Sequence, residues 1–189
     1  MFNTVIRAMG EILLLRGGPQ NLPTSYPLLG AVTAVFIICS TALFRLQGMT
    51  GVLPLLQALV SFAVLGGYVH TVLRLRNFSN RLPQTLTALV IAACAFSLLA
   101  YWPISTLLPY MAQMREGSEV QAPIGPTLLV LMLGAWSLAV QSHVLRVAMD
   151  IRLIAAFGLV LLYELLSVVV VNLLFGQAME PAAKAATGA

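Results

Sequence analysis

Residues 153–175 read LIAAFGLVLLYELLSVVVVNLLF, an apolar run interrupted near its midpoint by a single carboxylate, Glu164. About 20 apolar residues rising 1.5 Å each cross the roughly 30 Å hydrocarbon core of a bilayer, so this run reads as a membrane-spanning helix. Four more windows have the same character: about 28–46, 52–73, 84–108 and 127–149. A β-barrel would instead show alternating segments of about ten residues, and that alternation is missing. The expected fold is therefore all-α, a polytopic membrane bundle of five spans over 28–175. An amphipathic cytoplasmic segment over 1–22 precedes it, and a disordered tail over 176–189 follows.

Composition agrees with this class. The 189 residues are 60% hydrophobic and 8% charged, with a mean hydropathy of +0.95, whereas soluble domains carry roughly 25% charged residues. Five spans leave no stretch long enough for a soluble domain with its own core. Any site must lie among helices, in short loops, or against a partner.

Punctuation separates the spans. Pro23 and Pro27 precede the first, Gly48 and Gly51 bracket the first turn, Asn80 to Pro83 leads into the third, and Pro123, Gly125 and Pro126 lead into the fourth. Pro54 suits a first helical turn, whose N–H groups lack intrahelical acceptors anyway. Pro103 falls late in the third span, within Tyr101-Trp102-Pro103, and is expected to kink or end that helix.

The basic residues set an expected orientation. With the N-terminus cytoplasmic, that side holds Arg7, Arg16, Arg74, Arg76, Arg81, Arg146 and Arg152, and the other holds Arg45, Arg115 and Lys184. Acidic Glu116 and Glu119 also fall outside. The bias predicts a cytoplasmic N-terminus and an external C-terminus. The net charge of +4 then reads as topology signal, and no nucleic-acid partner is expected.

Within 1–22, Met1 to Arg16 has too short an apolar core for a signal peptide, and Gly17-Gly18-Pro19 replaces a cleavage site. Phe2, Val5, Ile6, Met9, Ile12 and Leu13 recur at helical spacing, so an amphipathic helix is expected. It lies either on the membrane surface or against the cytoplasmic end of the bundle. The tail Glu180 to Ala189 has no apolar face.

Few residues carry candidate chemistry. Glu164 is the one carboxylate inside a span, and an ionisable group there costs about 2.5–3.5 kcal/mol on insertion scales, so it is turned inward and used. Gln141, Gln57 and Ser61 lie at similar depth. A hydrogen-bonded structural glutamic acid at a helix interface is one reading; a proton or ion site of a small transporter or channel is the other. A relay needs a succession of ionisable groups and the midplane has one, which favours the structural role. His70 and His143 fall toward the cytoplasmic ends of their spans. Two imidazoles on facing helices can ligate a haem iron, with Arg74, Arg76 and Arg146 near enough for propionates, as in a b-type electron-transfer subunit. Interfacial histidines more commonly hydrogen-bond backbone or headgroups. Cys39 and Cys94 lie inside spans without paired spacing. No metal-ligand motif, Walker motif or nucleophile elbow occurs. Neither an enzymatic activity nor a cofactor is expected.

Three stretches carry a family likeness: Gly17-Gly18-Pro19-Gln20-Asn21-Leu22-Pro23, then Arg76-Asn77-Phe78-Ser79-Asn80-Arg81-Leu82-Pro83-Gln84-Thr85-Leu86, then Trp136-Ser137-Leu138-Ala139-Val140-Gln141. With a short N-terminal segment and five closely spaced spans, the chain resembles the YIP family of Rab-GTPase-interacting-type membrane proteins. The acidic-Leu-x-Gly-Pro stretch of eukaryotic members is missing, so the likeness is to the bacterial type. The resemblance implies a non-enzymatic protein that binds or organises other membrane proteins or lipids. A scaffold, assembly or accessory subunit is accordingly the leading expectation, with the lipid bilayer and other membrane proteins as partners.

Overall fold

The computed structural model describes residues 2–115 and 120–187, with side chains over 7–114 and 120–176. Glu116 and Glu119, and the last two residues of the expected tail, lie outside the described residues. The described residues form six α-helices: α1 (Phe2–Leu13), α2 (Tyr26–Leu46), α3 (Leu53–Leu75), α4 (Leu82–Arg115), α5 (Ile124–Met149) and α6 (Leu153–Thr187). Single 3₁₀ turns at Pro19–Asn21 and Ser79–Arg81 precede α2 and α4. Helices α2 to α6 are each long and apolar enough to cross a membrane, so the chain is an all-α, multi-pass membrane protein.

Helix ends follow local chemistry. The Ser25 hydroxyl accepts from Leu28 N–H at 3.3 Å and Pro27 occupies the first turn of α2, a side-chain cap followed by a residue with no N–H to satisfy. Gly48 (φ 92°) and Gly51 (φ 64°) supply the left-handed backbone of the turn into α3. Asn77 (φ 61°) ends α3 and Asp150 (φ 53°) ends α5, the residue types that tolerate this region best after glycine.

Two boundaries depart from expectation. α4 does not end at Pro103 but continues past it and past Pro109 to Arg115. The Ser105 and Thr106 hydroxyls donate to the Trp102 and Pro103 carbonyls at 2.7 and 2.8 Å. A proline removes one N–H, whereas ending the helix inside hydrocarbon would strand several backbone groups. At the other end α6 runs on as helix to Thr187 where a disordered tail was expected from 176. The added segment is rich in alanine, the strongest helix former, and it extends a helix already nucleated.

α4 is the central element. It packs against α2 and α5 most extensively and also meets α1 and α3, while α2–α3, α3–α6 and α5–α6 contacts close a ring. In its most apolar stretch 56% of residues are buried, against 11% for α2 and for α6. Thr85 to Ala92 are buried without a break, so every face of that half meets protein. The Thr85 and Thr87 hydroxyls bond back to the Arg81 and Pro83 carbonyls at 2.8 and 2.6 Å, which satisfies buried polar atoms inside the helix itself.

Candidate functional site

The most elaborated region lies at the arginine-rich end, where the chain between α1 and α2 enters the bundle. Irregular backbone at such a place must find partners for its carbonyls. The turn closing α1 uses Leu15 at φ 61°. It returns Leu14 N–H to Gly10 O at 3.0 Å, Leu15 N–H to Ile12 O at 3.0 Å, and Arg16 and Gly17 N–H to Glu11 O at 2.8 and 3.0 Å. Three carbonyls of this stretch are met by side chains from α4 and α5. Trp136 Nε1 donates to Leu13 O at 3.0 Å, His143 Nε2 to Gly17 O at 3.1 Å, and Gln84 Nε2 to Leu22 O at 2.8 Å. A carbonyl only accepts, so His143 carries its proton on Nε2 in this bond.

Packing reinforces these bonds. Ala8, Ile12 and Leu22 are buried in the main core, and α1 contacts α4 and α5, so the N-terminal helix packs against the bundle. Glu11 anchors the loop, with its carboxylate on Arg7 at 3.0 Å and accepting from Asn21 at 3.4 Å. Gly18 is needed for close approach: a Cβ there would lie 2.6 Å from Val147 Cγ1 of α5 and would also collide with Gln20. Arg81 completes the seam, donating to Ala148 O at 2.9 Å with its guanidinium 4.6 Å from the centre of the Phe78 ring.

Glu164 stands half-buried on α6 and accepts from Gln141 Nε2 of α5 at 3.3 Å, while the same amide reaches Ser137 Oγ at 3.2 Å. Nearby, the Tyr68 hydroxyl of α3 donates to Leu159 O of α6 at 2.7 Å, and the Tyr68 and Tyr163 rings sit 5.6 Å apart. Of the four intramembrane polar residues singled out by sequence, Glu164 and Gln141 therefore meet. Gln57 is buried on α3 with no partner for its Oε1 among the described residues, and Ser61 is half-buried. Neither bonds to Glu164.

The histidines take separate roles. His143 is spent on Gly17, whereas His70 is exposed on α3. The main neighbours of α3 are α2, α6 and α4, and those of α5 are α4, α6 and α1, so the two imidazoles do not ride on a packed helix pair. Among the described residues no three His, Cys, Asp or Glu side chains converge as metal ligands. Cys39 and Cys94 are free thiols. Arg74, Arg76, Arg146 and Arg152 are exposed, as is Arg81 despite its two contacts.

Sequence reasoning missed Trp136, Gln84 and Tyr68 as cross-helix donors. The available signal was Gly17-Gly18-Pro19, a stretch that cannot sit in a helix and so leaves carbonyls for neighbouring side chains to meet. Comparison of the chain with protein-family models, with curated proteins and with solved structures gives no match.

Proposed function

We propose that this chain is a non-catalytic subunit of a bacterial inner membrane, a scaffold, assembly or accessory factor that binds other membrane proteins or lipids. Its arginine-rich end and N-terminus face the cytoplasm in this reading, in keeping with the positive bias of that end. The role is the one that the likeness to bacterial YIP-type proteins implies.

The observation that carries the proposal is the unequal finish of the two halves of the bundle. One half carries the N-terminal loop, sealed by side chains of α4 and α5 that meet the Leu13, Gly17 and Leu22 carbonyls. In the other, α4 at 34 residues extends about 51 Å, well beyond a bilayer core of about 30 Å. There Leu98, Trp102, Ile124, Leu131, Met132 and Leu173 are all exposed. Lipid covers such a face at no cost, and exposed apolar side chains beside a helix that outruns the bilayer core also suit docking of a foreign transmembrane helix through van der Waals packing.

Glu164 serves here as a lock between α5 and α6, a role supported by its bond to Gln141. Affinity purification of the full chain in mild detergent tests the proposal. The expected result is repeated recovery with the same membrane protein in fixed proportion. Recovery of the chain alone in every preparation would remove the scaffold role.

A further inference from the structure

The corner between α5 and α6 holds an open cavity of about 680 Å³ with Arg146 and Arg152 on its walls, Asp150 between them and Leu153, the first residue of α6, at its edge. Both arginines are exposed, and among the described residues neither forms an ion pair or a side-chain hydrogen bond. That sets them apart from Arg81, which borders a neighbouring cavity of about 430 Å³ but is committed to Ala148 O and the Phe78 ring. Directly beyond the first cavity, α6 presents Ile154, 86% exposed, and Phe157, also exposed.

We propose that this corner binds the phosphate of an anionic phospholipid, with the headgroup held by Arg146 and Arg152 and the acyl chains lying along Ile154 and Phe157. Charge complementarity argues for the headgroup. Guanidinium forks match phosphate oxygens in geometry as well as charge, and they lose less hydration than an ammonium would. Basic pockets at the ends of transmembrane helices are where such headgroups settle. The exposed apolar side chains argue for a lipid over a free anion, because a soluble phosphate has no use for them.

Asp150 narrows the class. Its carboxylate borders the same cavity and opposes any second negative charge, so the site fits a headgroup bearing one phosphate and no further anionic group. Asp150 holds a left-handed backbone at φ 53°, a conformation that asparagine also tolerates. Asp150→Asn therefore removes the charge while keeping the turn. The inference rests on the non-catalytic reading only in taking the lipid as a bound partner rather than a substrate.

Native mass spectrometry of the full chain in neutral detergent, titrated with phosphatidylglycerol or chain-matched phosphatidylcholine, tests it. Each basic group beside an anionic headgroup is worth about fivefold, so the arginine pair should give about a twenty-five-fold preference for phosphatidylglycerol. Arg146→Gln with Arg152→Gln should abolish that preference without lowering the melting temperature, since neither side chain holds the fold. Arg74→Gln with Arg76→Gln, an equal loss of charge elsewhere on the same end, should leave it in place, and Asp150→Asn should strengthen it. Equal retention of the two lipids would overturn the proposal, as would an equal loss in the Arg74 and Arg76 pair. Full displacement by an equal concentration of inorganic phosphate would make the site one for free anions. Weakening by Asp150→Asn would mean that the carboxylate itself binds the headgroup. None of these outcomes depends on a protein partner, so failure here is distinct from failure of the scaffold role.

Discussion

The two halves of α4 are put to opposite uses. Residues 85–92, TLTALVIA, are buried all round, whereas Leu98, Leu99, Tyr101, Trp102, Met111 and Met114 in the second half are exposed. The difference lies in side-chain size. Ala88 and Ala92 let neighbouring backbones approach, and Thr85 and Thr87 satisfy their own hydroxyls, so the first half can be enclosed. Large leucines and aromatics in the second half hold other helices away and suit lipid or a partner. In a bilayer the apolar pattern places a segment, while small residues and spent hydroxyls decide whether protein or lipid surrounds it.

Truncation provides the strongest way to break this comparison. Ile91→Ala, at a fully enclosed position, should cost about 3 kcal/mol through lost contacts and a residual cavity, read as a lower melting temperature in detergent. Leu98→Ala, in the exposed half of α4, should stay within about 0.5 kcal/mol of the parent. Equal losses at the two sites would mean that the halves are packed alike.

Gly18→Ala is expected to cost about 2 kcal/mol, because Val147 must shift to admit the methyl group. Limited proteolysis should then cut the chain between α1 and α2 faster than in the parent; unchanged cleavage would show that the seam is looser than described. Replacing the lock should have a smaller effect that depends on chemistry. Glu164→Leu leaves the Gln141 amide with Ser137 Oγ as its one remaining acceptor among the described residues and should lose about 1 kcal/mol, while Glu164→Gln keeps a carbonyl acceptor and should lose less than about 0.5 kcal/mol. If both variants fold like the parent but alter proton flux in vesicles, Glu164 is a relay and not a lock. Trp136→Phe keeps the ring and removes the donor to Leu13 O, a loss of about 1 kcal/mol that amide exchange over residues 10–17 should register first.

Much of this architecture was legible in the sequence because length and hydropathy are nearly sufficient for a membrane span. The starts of α2, α3, α5 and α6 fall within a few residues of expectation, each marked by proline, glycine or a left-handed Asp150. The ends of α4 and α6 were not legible: proline stops a helix less readily where the backbone it would free has no water to meet, and low complexity after 176 hides the helix-forming propensity of its alanines. Depth put Gln141 among three candidate neighbours of Glu164, with Gln57 and Ser61, but could not choose between them. For His143 the commoner reading, a hydrogen bond to backbone, matches its bond to Gly17 O, although depth alone could not say which carbonyl it meets. The amphipathic face of α1 was plain, but its seat against α4 and α5 depends on shape, which one sequence does not carry.

The most direct test of the contrast between a sealed half and an open one is photo-crosslinking in native membranes, with a benzophenone amino acid placed at Met132 or at Val90. The account predicts a discrete adduct with another membrane protein from Met132, on the open face, and only uncrosslinked chain of 20.2 kDa from Val90, which is buried. Uncrosslinked chain alone from both positions would contradict it.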